Sequence, residues 1–297
     1  MTNYRPYNVY SPRRPERPKK SRRRLSVRQA MWLSLIFIVA LAALRVDLAE
    51  RAHAKAAAQA ATARRVAAVA KLDVQIAQIA DDNPQLSLSV ATSDIARGQV
   101  AEYNANNVSD AASTAKVLSA ALYLNEVEKG QKNLNQSIGG VSARQSLQLM
   151  VQQSDDTQWA NINDLLSHSA LQAYASGLGL ASYNSDTNTL SAADMTKLLS
   201  LLYEGDLLNE AHTSLLLSFM QHTNREDFIS PAVTASYSFY HKVGLDDDQV
   251  NDVGLIAGTD DTLVISIFTN GNSTYDWPAR AALMQKITHL AEQAYFN

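Results

Sequence analysis

A serine and a lysine stand three positions apart in the run Ala-Ala-Ser113-Thr-Ala-Lys116, just before an apolar stretch. If a helix opens at Ser113, this spacing puts the Lys116 ammonium one turn above the serine hydroxyl, on the same face. A serine hydroxyl is a poor nucleophile at neutral pH, and a desolvated lysine with a lowered pKa can remove its proton. Backbone N–H groups at a helix start can also stabilise an oxyanion. The segment therefore predicts a nucleophile beside its base.

A second serine, Ser154, is followed by Asp155 and Asp156 and lies between an apolar stretch and a predicted helix. The Ser-Asp pair occurs four times in the sequence, so the pair alone identifies no site. Ser154 could cap a helix that begins at Asp155, and this structural role is compatible with a catalytic one. Ser154 and Asp156 are therefore candidates for the same site as Ser113.

The third candidate segment is Lys242-Val243-Gly244, followed by Leu245, and it contains the only Lys-x-Gly pattern in the chain. The surrounding run has strand periodicity, so Lys242 would stand on a strand. A glycine two positions further on lets a substrate backbone lie close to that strand. The alternative is a lysine at a strand end and a glycine in a turn.

Strand patterns occur at both ends of the predicted domain, and helical patterns fill its middle. Alternation with a period of two predicts a hairpin and three C-terminal strands, at 86–92, 99–103, 235–243, 252–258 and 262–270. We expect an α/β (α+β) fold with one five-stranded antiparallel sheet. The terminal helices would cover one face of the sheet and an all-helical subdomain the other.

Taken in chain order, Ser113-Thr-Ala-Lys116, Ser154-Asp-Asp156 and Lys242-Val-Gly244 resemble the motifs of the serine β-lactamase and penicillin-binding protein superfamily. The layout of helices and strands is most similar to the class A β-lactamase branch, and the resemblance covers roughly residues 65–297. It implies a β-lactamase-like fold with the site between the sheet and the helical block, at the start of the Ser113 helix.

The resemblance also implies a role for each candidate residue. Ser113 would be the acylated nucleophile, Lys116 its base, and Ser154 the relay of a proton to the leaving amine. Lys242 would hold the Ser154 network and a substrate carboxylate electrostatically. The oxyanion hole would consist of the backbone N–H groups of Ser113 and Leu245.

The positions implied to contact substrate are Asp156, Val243, Gly244 and Leu245, and two of them depart from the usual pattern of the family. Asp156 stands where the family usually has asparagine, so it would either repel a substrate carboxylate or pair with a lysine. Val243 stands where the family usually has threonine or serine, so it lacks the hydroxyl that binds that carboxylate. A lost hydrogen bond to a charged group costs about 1.5–3 kcal/mol. Both departures predict weaker binding of β-lactams and of D-Ala-terminated peptides.

A third departure concerns deacylation. Class A β-lactamases use a loop glutamate to activate water, but no glutamate occurs between Glu128 and Glu204. The corresponding segment, residues 177–190, offers only Asp186. We therefore expect poor β-lactam hydrolysis and a long-lived acyl-enzyme, as in penicillin-binding proteins.

The composition predicts no cofactor and no metal. The chain has no cysteine, so disulfides and thiolate metal sites are excluded. Its six histidines have no spacing typical of metal ligands.

The N-terminal part differs from the rest in charge. Residues 1–29 contain ten Lys or Arg and one Glu, whereas the remainder has a net charge of −12. An uncharged apolar run of fifteen residues follows at 30–44. We predict a basic disordered cytoplasmic tail (1–29), a membrane anchor (30–45), a helical stalk (46–64) and an exported domain (65–297). A cleaved signal peptide is the alternative, and it gives export as well.

Two functions remain open from the sequence. The first is a membrane-anchored extracytoplasmic serine hydrolase that acts on peptidoglycan stem peptides or a β-lactam-like small molecule. The second is a catalytically impaired relative that serves as a binding or scaffold module at the cell envelope. Nucleic-acid binding by the basic tail fits its charge but not the apolar run behind it, so no nucleic-acid partner is expected. Self-association through the Ala-rich stalk stays open.

Overall fold

The structure is a computed structural model and describes residues 25–98, 100–259, 261–271 and 276–296. Most of the predicted basic tail, the first residue of the predicted 99–103 strand and part of the turn before β9 lie outside the described residues. The helices in the described part are α1 (Val27–Asp81), α2 (Lys116–Glu128), α3 (Ala143–Gln152), α4 (Asp156–Leu166), α5 (His168–Gly177), α6 (Ala192–Glu204), α7 (Glu210–Phe219) and α8 (Trp277–Phe296). The strands are β1 (Leu86–Asp94), β2 (Val100–Tyr103), β3 (Val108–Asp110), β4 (Ser137–Ile138), β5 (Val141–Ser142), β6 (Thr189–Ser191), β7 (Ser238–Asp246), β8 (Gln249–Ala257) and β9 (Thr262–Gly271).

The chain divides into two units, Met1–Ala60 and Ala61–Asn297. In the first unit, the described residues from Val27 onward belong to the N-terminal part of α1. This part of the helix holds an exposed apolar stretch that could cross a membrane by its length and composition. The predicted anchor (30–45) and stalk (46–64) both lie within α1, which is one continuous helix of 55 residues, and their roles stay predictions. Hydropathy changes along this segment, but it is rich in alanine and free of glycine and proline, so nothing in it breaks a helix.

In the second unit, the main sheet has five antiparallel strands in the order β2-β1-β9-β8-β7. This confirms the predicted sheet of an N-terminal hairpin and three C-terminal strands. The first C-terminal strand lies three residues later than predicted, because Asp246 pairs with Gln249 across a two-residue turn. The run of aspartates at 246–248 suggested a longer loop, but only two of its residues are needed to reverse the chain.

The two faces of the sheet are covered differently. One face packs against a core built largely from α2 to α7, which includes Leu118, Leu147 and Leu198. The other packs against the C-terminal part of α1 and against α8, in a cluster that includes Leu72 and Ile287. The predicted arrangement, with terminal helices on one face and a helical subdomain on the other, is therefore confirmed. The helical subdomain and the sheet meet where the candidate residues lie.

The docked part of α1 provides a stability prediction. Leu72 is fully buried in the terminal-helix cluster, so Leu72→Ala is expected to lower the free energy of unfolding by about 2–5 kcal/mol. Val74 is 69% exposed, so Val74→Ala is the matched control and is expected to change it by less than about 0.5 kcal/mol. Urea unfolding of the full chain, followed by tryptophan fluorescence, measures both. Equal effects of the two variants would contradict the docking of this helix.

Candidate active site

Ser113 lies in a tight 3-10 turn, Ala112–Ala115, that leads directly into α2. The sequence predicted an α-helix opening at Ser113, so the predicted start was wrong by three residues. The turn is tighter because Thr114 donates to the Ala111 carbonyl twice, from its backbone N (3.1 Å) and its Oγ1 (2.6 Å). The Ser113 side chain is partly buried, and its hydroxyl hydrogen-bonds to no other group among the described residues. It is therefore free to react.

The backbone just before Ser113 is strained and held by polar side chains. Ala112 has φ of +47°, a left-handed conformation that costs a residue other than glycine about 1–3 kcal/mol. The Asp110 Oδ1 accepts from the Ala112 backbone N (2.7 Å), and Asn188 Nδ2 donates to the Ala112 carbonyl (3.1 Å). The fully buried Asn251 donates to the Asp110 carbonyl (2.9 Å). These three side chains fix the position of the nucleophile.

Sequence reasoning missed all three of these supporting residues. An aspartate that bonds to the backbone N two positions later forms a familiar type of turn, so Asp110 carried a local signal. Asn188 and Asn251 are distant in sequence, and nothing in their neighbourhood marks them.

Lys116 begins α2 and is fully buried. Its Nζ donates to the Ser154 carbonyl (2.8 Å), to Ser154 Oγ (3.3 Å) and to Asp156 Oδ1 (2.5 Å). The ring of Trp159, on α4, lies 5.1 Å from Nζ. Burial lowers the pKa of Lys116, and the Asp156 carboxylate opposes that shift. Of the two alternatives for Asp156, the structure has the pairing with a lysine.

Lys242 enters the same site from β7. It is 2% exposed, and its Nζ donates to Ser154 Oγ (2.9 Å) and to the Val243 carbonyl (2.7 Å). Burial, together with the charge of Lys116, lowers the pKa of Lys242 to about 7, although Asp252 and Asp156 oppose the shift. The two lysines therefore converge on one hydroxyl, that of Ser154.

Ser154 lies in the short connection between α3 and α4, with φ of +57°. The suggested capping of the next helix by Ser154 is not what the structure has. Asp155 is the cap, and its Oδ1 accepts from the Gln158 backbone N at 2.9 Å. The Ser154 hydroxyl is consequently left to the two lysines.

Gly244 lets β7 approach the nucleophile turn closely. A Cβ atom at Gly244 would lie 2.8 Å from the Ala111 carbonyl oxygen and 3.1 Å from the Thr114 backbone N. The side chain of Val243 is 4% exposed and belongs to the terminal-helix cluster on the other face of the sheet. The structure thus brings Lys242 and Gly244 to the site, whereas Val243 contributes only backbone atoms.

The backbone N–H of Leu245 points toward the site, because the N–H groups of a strand point alternately to its two sides. β7 is an edge strand, and the backbone N of His241 donates away from β8, to the Met220 carbonyl (2.7 Å). Successive N–H groups along a strand point to opposite sides, so Leu245, four positions on, points its N–H the same way as His241. This free edge lies beside the Ser113 turn, as an oxyanion hole requires.

Three carboxylates surround the site. The side chain of Asp156 is 83% exposed even though its Oδ1 reaches the buried Lys116. Asp246, at the end of β7, has Asp110 as a neighbour of like charge, and partial burial together with that neighbour raises the pKa of Asp246. The surroundings of the site at Asp110, Asp156 and Asp246 are therefore acidic, which disfavours binding of an anionic group of a ligand beside them.

The segment that the sequence identified as lacking a glutamate runs from the end of α5 to β6. Its one acidic side chain, Asp186, is 84% exposed and lies 3.6 Å from His168. The residue of this segment that reaches the nucleophile turn is Asn188. An amide cannot act as a general base for water at neutral pH.

The sequence matches the model of the beta-lactamase enzyme family over residues 71–295. A variant of PBP-A, solved as an acyl-enzyme complex with penicillin G, has a TM-score of 0.70 and 21% identity, over 76% of this chain and 96% of that chain. An ancestral class A β-lactamase has a TM-score of 0.70 and 21% identity, over 75% and 100% of the two chains. A β-lactamase from Chitinophaga pinensis DSM 2588 has a TM-score of 0.69 and 22% identity, over 75% and 99%. No curated protein sequence matches the chain.

Proposed function

The chain belongs to the beta-lactamase enzyme family, and from that membership we propose that it is a membrane-anchored serine hydrolase that forms an acyl-enzyme on Ser113. The observation that carries the proposal is the convergence of Lys116 and Lys242 on the Ser154 hydroxyl, beside the strained turn that presents Ser113. A relay hydroxyl held by two lysines is suited to proton transfer to and from a serine nucleophile.

The reaction would begin with attack of Ser113 Oγ on a carbonyl carbon. The negative charge on the carbonyl oxygen would be stabilised by the backbone N–H groups of Ser113 and Leu245. Ser154 would pass a proton to the leaving amine. The site holds two lysines that could take the Ser113 proton, and the family resemblance gives this role to Lys116.

The substrates proposed are peptidoglycan stem peptides or β-lactam-like small molecules. A structural neighbour that carries a penicillin G acyl group supports this choice of substrate class. The acyl-enzyme would be long-lived, because the segment before β6 places an amide, Asn188, at the nucleophile turn and no glutamate lies between Glu128 and Glu204.

The proposed location is the outer side of a cell membrane. The apolar stretch of α1 supports an anchor at 30–45, and the excess of Lys and Arg in 1–29 supports a cytoplasmic N-terminus. The segment 46–64 would serve as a stalk and 65–297 as the hydrolase domain.

Intact-mass measurement of the full chain in detergent, after incubation with a fluorescent penicillin or a fluorophosphonate, tests the proposal. We expect the protein to gain the full mass of the penicillin, or the mass of the fluorophosphonate less hydrogen fluoride, and Ser113→Ala to abolish either addition because the reacting oxygen is gone. Labelling by the penicillin would connect the site to cell-wall peptides. A folded protein that neither reagent labels would overturn the acyl-enzyme proposal.

A binding or scaffold module is the second candidate. The observation that favours it is the ion pair of Lys116 with Asp156, since an ammonium ion so held is a poor base for Ser113. Absence of labelling together with retained binding of muropeptides would support this function.

A further inference from the structure

We infer that a cavity beside β3 binds one neutral sugar residue. This cavity, called the β3 cavity below, has a volume of about 230 Å³ and is lined by residues of β1, β9 and β3 and of the loop before β3. Lys116, Ser154 and Lys242 do not line it. The inference goes beyond the proposed function and does not require Ser113 to react.

The lining of the β3 cavity is mainly polar and uncharged. Its hydroxyl and amide side chains are those of Ser87, Ser89, Asn107, Ser109 and Asn270. Each of these groups both donates and accepts hydrogen bonds. Among the described residues, no acidic or basic side chain lines the cavity. A charged ligand group buried here would have no counter-charge, which is costly, so the cavity favours a neutral ligand.

One of the lining hydroxyls has no partner. The Oγ of Ser109 is buried and hydrogen-bonds to no other group among the described residues. A buried polar atom without a hydrogen bond lowers stability, and native structures keep few of them. A hydroxyl of a ligand in the β3 cavity would supply the missing hydrogen bond.

The number of polar groups around so small a volume points to a sugar. Pockets for drug-sized ligands have volumes of about 300–1,000 Å³, so the β3 cavity takes a smaller ligand. A peptide unit offers one donor and one acceptor, whereas a sugar ring carries several hydroxyls that do both. Phe268, which is 2% exposed, and Val108 add apolar surface for the C–H groups of such a ring. The lining therefore matches one neutral monosaccharide unit.

The β3 cavity lies on the same face of the sheet as the candidate active site. Cross-strand pairing puts four residues of this face in one row, in the order Ser89, Phe268, Asn251 and Gly244. The cavity is at the Ser89 end of the row, and the nucleophile turn packs on Gly244 at the other end. Because β9 and β7 are two strand spacings apart, about 10 Å, the two sites are separate neighbours.

The segment that presents Ser113 runs along this row. Ser109, at the start of the segment, lines the cavity. The Asp110 carbonyl accepts from Asn251 in the middle of the row, and the following turn packs against Gly244. A sugar bound to Ser109 would therefore contact the chain four positions before the nucleophile. The β3 cavity is thus a second ligand site, joined to the nucleophile turn by one short segment.

Saturation-transfer NMR of the full chain in detergent tests the inference, because it detects weak binding of a sugar and needs no acylation. The probes are methyl β-glucopyranoside and the corresponding glucuronate, which share one ring and differ by a carboxylate. We expect the glucoside to bind with a Kd of about 1–10 mM and the glucuronate to bind at least about tenfold more weakly. Transfer to neither probe, or stronger binding of the glucuronate, would overturn the inference.

Ser109→Ala is the test variant, and Ser137→Ala is its matched control. Ser137 is exposed on β4 and does not line the cavity. Because the Ser109 hydroxyl has no partner among the described residues, its removal should leave the urea midpoint unchanged or raise it. The Kd of the glucoside should rise about fivefold in Ser109→Ala and stay unchanged in Ser137→Ala. Equal Kd values for the two variants would place the sugar elsewhere and contradict the site.

A further probe distinguishes two sources of the sugar. Cellobiose, a neutral disaccharide, should bind as well as the glucoside if the cavity takes the end of a glycan chain, and much more weakly if it takes a free monosaccharide. The outcome is independent of the proposed function. Failure of penicillin labelling would leave the sugar site in place, and failure of sugar binding would leave the acyl-enzyme proposal in place.

Discussion

Replacement of His241 by leucine is expected to lower the free energy of unfolding by about 3–5 kcal/mol, because it leaves a buried charge without its partner. His241 on β7 is 1% exposed, and Asp252 beside it on β8 is fully buried. The His241 Nδ1 lies 3.0 Å from Asp252 Oδ1, and its Nε2 lies 3.2 Å from Glu226 Oε2. The imidazolium therefore connects two strands of the sheet to the segment before them.

The same group makes stability depend on pH. Burial lowers the pKa of His241, but Asp252 and Glu226 outweigh burial and raise it from 6.5 to about 9. The stabilisation is thus fully present below pH 6.5 and is lost as the pH rises through about 9. We expect the stability difference between the unchanged protein and His241→Leu to narrow by about 3 kcal/mol between pH 6 and pH 10.

Urea unfolding at several pH values measures this effect, and His168→Leu is the matched control. His168 is 60% exposed and pairs with the exposed Asp186, so its loss should cost less than about 1 kcal/mol. A His241→Leu effect as small as that of the control, or one that grows above pH 9, would contradict the buried ion pair.

The second large effect is expected at Gly244. The added Cβ of Gly244→Ala would lie 2.8 Å from the Ala111 carbonyl oxygen, which is a backbone atom and cannot rotate away. The edge of β7 must then move relative to Ser113, and a displacement of about 1 Å at a reacting centre lowers rates about 100-fold. We therefore expect acylation by the fluorescent penicillin to fall about 100-fold and stability to fall by about 1–3 kcal/mol.

Gly177→Ala is the control for that substitution. Gly177 ends α5, and a Cβ there meets no atom within 4 Å. Its acylation rate should equal that of the unchanged protein. If Gly244→Ala also labels at the unchanged rate, β7 does not form the wall of the site.

The sequence was sufficient for the order of the three motifs and for the layers of the fold, because both depend on local signals. Ser113 and Lys116 are neighbours on one turn, and the strands alternate with a period of two. The division of residues 30–64 into an anchor and a stalk stays a prediction, because both lie within the continuous helix α1 and one helix can serve both roles. The local propensity of that segment stays helical throughout.

Two supports of the site, Asn188 and Asn251, were beyond sequence reasoning because they join distant segments. Asn251 lies far along the chain from Asp110, yet its amide holds the carbonyl of that residue. The resemblance places Val243 among the positions that contact substrate, but the pleat of β7 turns its side chain into the apolar cluster on the other face. A residue's position in the sequence does not specify its distant hydrogen-bond partner. It also does not specify the face of the sheet on which the side chain lies unless the exact strand register is known.

The order of strands in the sheet has a consequence for the synthesis of the chain. β1 lies between β2 and β9 in the sheet. One edge of β1 therefore stays unpaired during synthesis until β9 has been made. A nascent chain that ends before β9 contains Ser113 and Lys116, but its N-terminal hairpin exposes backbone groups that favour aggregation. The Asn251 amide that holds the nucleophile turn also comes from β8, late in translation. The serine thus becomes correctly positioned only when the chain is almost complete, and C-terminal truncation should remove activity and solubility together.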